Sequence, residues 1–375
     1  MERIKAPLRV DWQNKVKKYG LTFFQGYWQE GTCYRFSEAE INEIEEATAE
    51  LHRMCLAAVD HIIKNNRFAE LGIPAAMIPV IKWSWENEKD LSVYGRFDLL
   101  YDGKKPPKML EYNADTALTL LEASIIQWYW LQDVFPQFDQ FNVIDEELIA
   151  FWSRSKHKLS GPLYFGYIDK PEWESEMNVA YLSDTAERAG IAIRGITMQE
   201  IGYDNEVREF VDMQDRTIKS IFKMYPWDWV AYDEFADKVI ESYKKTNWLE
   251  PIWKIIPSNK GILAILWELF PEHKNLLPAY LNDSRGMAEF VKKPVFSNKG
   301  DNVTVNCKEG VFETPGVYGS EGSVFQQYQP MPDFQGFKPI IGSWIIGGKP
   351  AGLGIRETNG KITDDSSGFV PHYFE

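Results

Sequence analysis

Cysteine is scarce. Cys33, Cys55 and Cys307 are scattered through 375 residues with no C-x-x-C and no zinc spacing. Neither a disulfide framework nor a zinc finger is compatible with that pattern. No run approaches the 18 or so apolar residues of a membrane span. The opening MERIKAPLRVDW lacks the apolar core of a signal peptide, so a cytoplasmic location without membrane contact is expected. Basic charge is also in deficit. Lys and Arg number 41 against 55 Asp and Glu, a net charge of −14, and a nucleic-acid binder would need a basic stripe instead. The five histidines stand far apart and read as structural or surface groups.

Several catalytic motifs are missing too: the P-loop, the dinucleotide-binding G-x-G-x-x-G, H-E-x-x-H and the G-x-S-x-G elbow. An enzyme built from this chain must work without a side-chain nucleophile. What the chain does have is 44% hydrophobic residues, 26% charged residues and 14 Trp. That composition folds, and its large rings call for deep cores or a lined pocket.

Ser37 and Glu40 form a capping box before Ile41, Ile44, Leu51, Cys55, Ala58 and Ile62, which predicts an amphipathic helix. A second, buried helix is expected over Thr116 to Asp133. PLYFGYI, residues 174–189 and IAIRGIT read as a β-α-β unit. The Trp-rich stretch 206–256 reads as mostly helical, and Ser258 reads as the N-cap of the next helix. The last ninety or so residues alternate and are rich in glycine, as antiparallel strands require.

VYGRFDLLY and MLEYN flank DGKKPPK as a hairpin. Residues i and i+2 of a strand share a face. A turn centred on Lys104–Lys105 then sets Asp98 across from Glu111, and Arg96 across from Asn113. Facing carboxylates repel unless a cation joins them. Asp98, Glu111 and Asn113 supply the oxygen set that a hard cation such as Mg²⁺ takes; an exposed hairpin with solvated charges is the alternative. A second signal is Lys293 before the loop Ser297-Asn298-Lys299-Gly300, whose backbone N–H groups can cover phosphates, with Lys260 as a further cation.

In order along the chain, GRFDLL, LEYNADT, PSNKGILAILWELFP, KKPVFSNKGDNVTV, VFQQYQPMPDFQGFKPIIGSW and AGLGIRETNGKITDDSSGFVPH resemble the glutathionylspermidine synthase family. The resemblance is to its ATP-grasp synthetase domain, and to short members labelled acid–amine ligases that lack an amidase domain. It implies an α+β, glutathione-synthetase-like ATP-grasp fold of interlocked lobes with a small β-α-β lobe and an antiparallel lid. The whole chain, 1–375, would form one unit. Residues 1–150 would be a helical region with the metal-binding hairpin, 151–255 the β-α-β and helical lobe, and 256–375 the lid and C-terminal strands.

The resemblance implies ATP-dependent ligation of a small-molecule carboxylate, a peptide or amino acid, to an amine or polyamine through an acyl phosphate. ATP and Mg²⁺ would be required. Asp98, Glu111 and Asn113 become metal ligands, and Arg96 the catalytic stabiliser of the transferring phosphoryl group. Lys260, Lys293 and Gly300 would contact ATP phosphates, and Gln326, Gln327, Tyr328 and Gln329 would form the adenine hinge. Arg356, Lys361, Ile362 and Thr363 would line the far side of the cleft. Thr116 would hold the acid, and Glu174 and Glu176 the amine. Many members carry Arg where this chain has Asn298, and an amide cannot replace a guanidinium; Lys299 supplies that charge if the loop shifts by one residue. The competing reading is a catalytically silent relative that binds nucleotide as a partner protein.

Overall fold

A computed structural model describes residues 1–169, 173–298, 300–363 and 367–375. Its centre is a five-stranded antiparallel sheet. In order, the strands are Gly368–Val370, Lys349–Thr358, Lys338–Ile346, Tyr94–Leu100 and Lys108–Asn113. The hairpin from the first third of the sequence thus completes a sheet begun by the last, and the lobes interlock as expected.

The long helix Glu38–Lys64 starts at Ser37 with both arms of its capping box made. Its buried face, including Ile41, Ile44, Leu51 and Ala58, joins one hydrophobic core with Phe97, Leu99, Ile341 and Ile345 of the central sheet. Phe97 stacks on Tyr112 across the hairpin, centroids 3.9 Å apart. Strand alternation then turns Arg96 and Asp98 to the opposite face.

A second five-stranded antiparallel sheet forms the lid, in the order Ala279–Leu281, Ser323–Gln327, Phe290–Pro294, Thr304–Cys307 and Gly310–Glu313. The β-α-β unit is present as Leu163–Tyr167, helix Trp173–Arg188 and Ile193–Thr197, with parallel pairing. It belongs to a four-stranded parallel sheet that also takes Ser220–Lys223 and Asn247–Leu249. The expectation of a mostly helical 206–256 is therefore corrected. These strands have four and three residues, too short to display a period.

Two other expectations shift. The helix expected from Thr116 begins at Leu120, and its turn Glu122–Ile126 is wound as a π-helix before Gln127–Val134. Ser258 does not cap the following helix: it ends the short helix Ile255–Ser258, and its hydroxyl is buried without a partner among the described residues. Helix Ile262–Leu269 is instead preceded by a turn in which Asn259 Oδ1 accepts from the Gly261 N–H at 2.8 Å. Among the described residues no helix is long and apolar enough to cross a membrane.

Candidate active site

The hairpin pairs Arg96 with Asn113 and Asp98 with Glu111, the expected register. Beyond Asp98 a bulge moves the partner of Leu99 to Met109 and leaves Leu110 as the extra residue. Asp98, Glu111 and Asn113 all line a cleft of about 880 Å³ between the central sheet and the lid.

The two facing carboxylates are separately neutralised. Arg96 donates from Nε to Asp98 Oδ1 at 2.7 Å and from Nη2 to Oδ2 at 3.1 Å. Arg356 Nη2 stands 3.8 Å from Asp98 Oδ2. Lys260 Nζ lies 3.3 Å from Glu111 Oε2, and Asn113 Nδ2 donates to Glu111 Oε1 at 3.2 Å. Burial alone would raise the Glu111 carboxyl, but the Lys260 and Lys293 charges outweigh it and hold the group at about 2. The expected repulsion is relieved by cationic side chains.

That donor set still fits Mg²⁺. Two carboxylates and the Asn113 Oδ1, left open by the amide's own donation, are hard oxygen ligands on one wall of a polar cleft. Among the described residues no group of three His, Cys, Asp or Glu side chains could hold a metal, and a third oxygen donor at this face would be the Asn113 amide.

Lys293 comes from lid strand Phe290–Pro294 and is buried. Its Nζ donates to Gln326 Oε1 at 2.8 Å and to the Leu110 carbonyl at 2.9 Å. Burial, aided by the nearby Lys260 charge, pushes its ammonium down to about 8 against the pull of Glu111. Gln326 Nε2 donates to the Met109 carbonyl at 2.9 Å, so one amide ties the lid to the hairpin and orients Lys293. Lys260 Nζ also donates to the Ser297 carbonyl at 2.7 Å.

Gln326, Gln327, Tyr328 and Gln329 line the same cleft, as do Lys361, Ile362 and Thr363 across from them. Val303, Val305, Tyr328 and Ile362 form an apolar cluster there, the surface a flat base requires. Gly300 has φ +73, and a Cβ on it would meet the Thr363 carbonyl at 2.8 Å. The loop rests on the far rim only because this residue has no side chain. Asn298 Nδ2 donates to Tyr318 Oη at 3.2 Å; Lys299 lies outside the described residues. Arg356 stands against Asp98 and not among the cleft-lining side chains.

A second, polar pocket of about 490 Å³ adjoins the first and shares Asn113, Lys260, Ser297 and Asn298 with it. Thr116 lines it, together with Asp115 and Asp228. Asp115 is already engaged: Lys223 Nζ donates to it at 2.9 Å and the Trp227 N–H at 2.7 Å. Burial and the Asp115 charge raise the Asp228 carboxyl to about 6.

Of the two acidic residues expected at the amine site, Glu174 is near enough to Arg96 for their charges to interact. Glu176 is exposed and faces Tyr167, so it is not brought to this cluster. Sequence reasoning missed Glu122, which is fully buried beside Arg96 and Glu174. A charged residue inside LTLLEASII was the available signal.

The sequence profile of "Glutathionylspermidine synthase preATP-grasp" matches residues 3–375. A Haemophilus influenzae protein provisionally named an acid–amine ligase is 38% identical, with both chains covered in full. The bifunctional glutathionylspermidine synthetase/amidase of Escherichia coli is 27% identical over 90% of this chain and 58% of its own. Trypanothione synthetase of Crithidia fasciculata is 29% identical over 86% of this chain and 53% of its own. The chain thus spans a little over half of these two longer relatives. Among solved structures, a glutathione-synthetase-like effector from Globodera pallida shares the fold at TM-score 0.58 with 10% identity, covering 97% of this chain and 96% of that one. With its glutathione-synthetase-like ATP-grasp architecture and a profile match along nearly its whole length, the chain belongs to the glutathionylspermidine synthase family of carbon–nitrogen ligases.

Proposed function

We propose that the chain is an ATP-dependent, ADP-forming acid–amine ligase. ATP lies in the larger cleft, with its base against Tyr328 and Ile362 and its phosphates toward Lys260, Lys293 and the Gly300 loop. The carboxylate substrate enters the Thr116 pocket and attacks the γ-phosphate, giving an acyl phosphate and ADP. An amine held near Glu174 then displaces phosphate and forms the amide. Asp98, Glu111 and Asn113 would hold Mg²⁺, which supplies charge neutralisation at the phosphates. Arg96 stabilises the phosphoryl group in transfer, a task of positioning and charge that needs no nucleophilic side chain.

The observation that carries this reading is the pair of adjoining pockets. One has an apolar end and a lysine-rich end, the other is polar, and they meet at Asn113, Lys260 and Ser297. A phosphoryl donor and its acceptor must meet in that way. The relatives' names suggest glutathione and spermidine as first substrates. The test is an ATP-dependent screen of peptides, glutathione included, against polyamines and amino acids, read by mass and by ADP release. A mass equal to acid plus amine less water is expected. ATP binding without ADP release across the screen would instead favour a silent nucleotide-binding relative.

A further inference from the structure

We propose that Glu122 is the base that takes a proton from the attacking amine, a role that rests on the ligase reading above. Glu122 has no exposed surface. Tyr27 Oη donates to its Oε1 at 2.8 Å, and its Oε2 has no hydrogen-bond partner among the described residues. An idle oxygen on a buried carboxyl is costly unless something else occupies it during function.

The local backbone is unusual in the same place. Glu122 opens the π-helical turn Glu122–Ile126, and Thr119, three residues earlier, has φ +72. π-turns and non-glycine residues in the left-handed region gather at functional sites. Thr119 is also the link to the phosphoryl site, because Arg96 Nη1 donates to its Oγ1 at 3.2 Å. The charged and titratable groups facing Glu122 are Tyr27, Glu174 and Arg96, and Arg356 faces Tyr27 in turn. Glu122 therefore lies near both the phosphoryl stabiliser and Glu174, where the amine is held.

An aliphatic amine arrives at neutral pH as an ammonium ion, with no lone pair to attack. One of its protons passes to Glu122 Oε2. The freed lone pair forms the C–N bond at the acyl carbon, and the C–O bond to phosphate breaks with its electron pair left on the phosphate oxygen. A second proton from the nitrogen leaves with the phosphate, so charge and atoms balance. Burial, reinforced by the Glu174 charge, pushes the Glu122 carboxyl up to about 7. It can thus accept a proton at neutral pH and release it afterwards.

The test compares two nucleophiles with glutathione as the acid: spermidine, which is protonated at pH 7, and hydroxylamine, which is largely not. Glu122→Gln should lose about 100-fold or more with spermidine while the hydroxamate forms within about threefold of wild type. Tyr27→Phe removes a donor to the carboxylate, so the alkaline rise of the spermidine rate should move to higher pH. Equal losses with both nucleophiles, or an unmoved pH profile in Tyr27→Phe, would overturn the assignment. If wild type yields no product with either nucleophile, the ligase reading fails for this acid, and an infrared titration decides the role of Glu122 separately. The wild-type minus Glu122→Gln difference should show a carboxyl ionising near neutrality; one still protonated at pH 9 rules the base out.

Discussion

Asp98 stands directly across from Glu111 in the hairpin, and a different cation is in contact with each. Arg96 clamps the first with both arms of its guanidinium, and Lys260 meets the second. Metal binding at this face must compete with those contacts. Glu111→Ala should abolish ATP turnover and raise the Mg²⁺ concentration needed for ATP binding if Glu111 is a ligand as proposed. Arg96→Ala should cut turnover by about 10²–10³-fold, the cost of one transition-state donor. It should not raise the Mg²⁺ requirement, because it frees both Asp98 oxygens. A Mg²⁺ titration of ATP binding in each variant separates the two, and a raised requirement in Arg96→Ala would count against the ligand assignment.

Lys293 gives a pH dependence. Its ammonium is pushed down to about 8 in the free protein. In the proposed site the protonated form would meet phosphate, so ATP affinity should fall as pH rises through about 8. Bound phosphate favours the ammonium, so ATP binding near that pH should take up a proton. Calorimetry in buffers of different ionisation enthalpy reads this directly. Lys293→Ala should lose the uptake and weaken ATP binding by about 1.5–3 kcal/mol.

A stability prediction comes from Glu250 and Lys254, both fully buried. Glu250 accepts from the Val93 and Tyr94 N–H groups and from Lys254 Nζ at 2.7 Å, and Lys254 also donates to the Tyr94 carbonyl at 2.6 Å. The pair thus holds the first residues of the Arg96 strand. Glu250→Gln leaves a buried ammonium without its counter-charge and should cost about 3–5 kcal/mol in urea unfolding. Replacing both residues with apolar side chains should cost less than that single change.

The proposed phosphate loop tests whether missing charge limits rate. Asn298 is held by Tyr318, which also accepts from Trp229 Nε1 at 2.8 Å. Asn298→Arg should raise ADP release at saturating ATP. Gly300→Ala should weaken ATP binding about tenfold or more, since the new methyl meets the Thr363 carbonyl from a strained backbone. An alanine variant that binds ATP normally would show that the loop does not close on the far rim.

The hairpin was legible because two facing pairs and a polar turn leave little freedom of register. The bulge at Leu110 was not, since one extra residue leaves the alternation on either side intact. The long helix announced itself through its capping box and spacing. Strands Ser220–Lys223 and Asn247–Leu249 were hidden because each is covered on both faces and has only four or three residues in which to show alternation. Glu122 was overlooked for a related reason. An apolar run around one acid looks like a buried helix, and only the folded chain shows Arg96 and Glu174 beside it.

The double engagement of Gln326 has a mechanical consequence. Its amide grips the Met109 carbonyl on one side and Lys293 on the other, so the lid is pinned to the central sheet partway along the larger cleft. A plate pinned there swings and does not slide. On the ligase reading, any opening would be smallest at the strand carrying Gln326 and Gln327 and larger toward the Gly300 loop. If the cleft takes ATP as proposed, its width beside the base would be set by this pin, and entry and release would occur at the phosphate end.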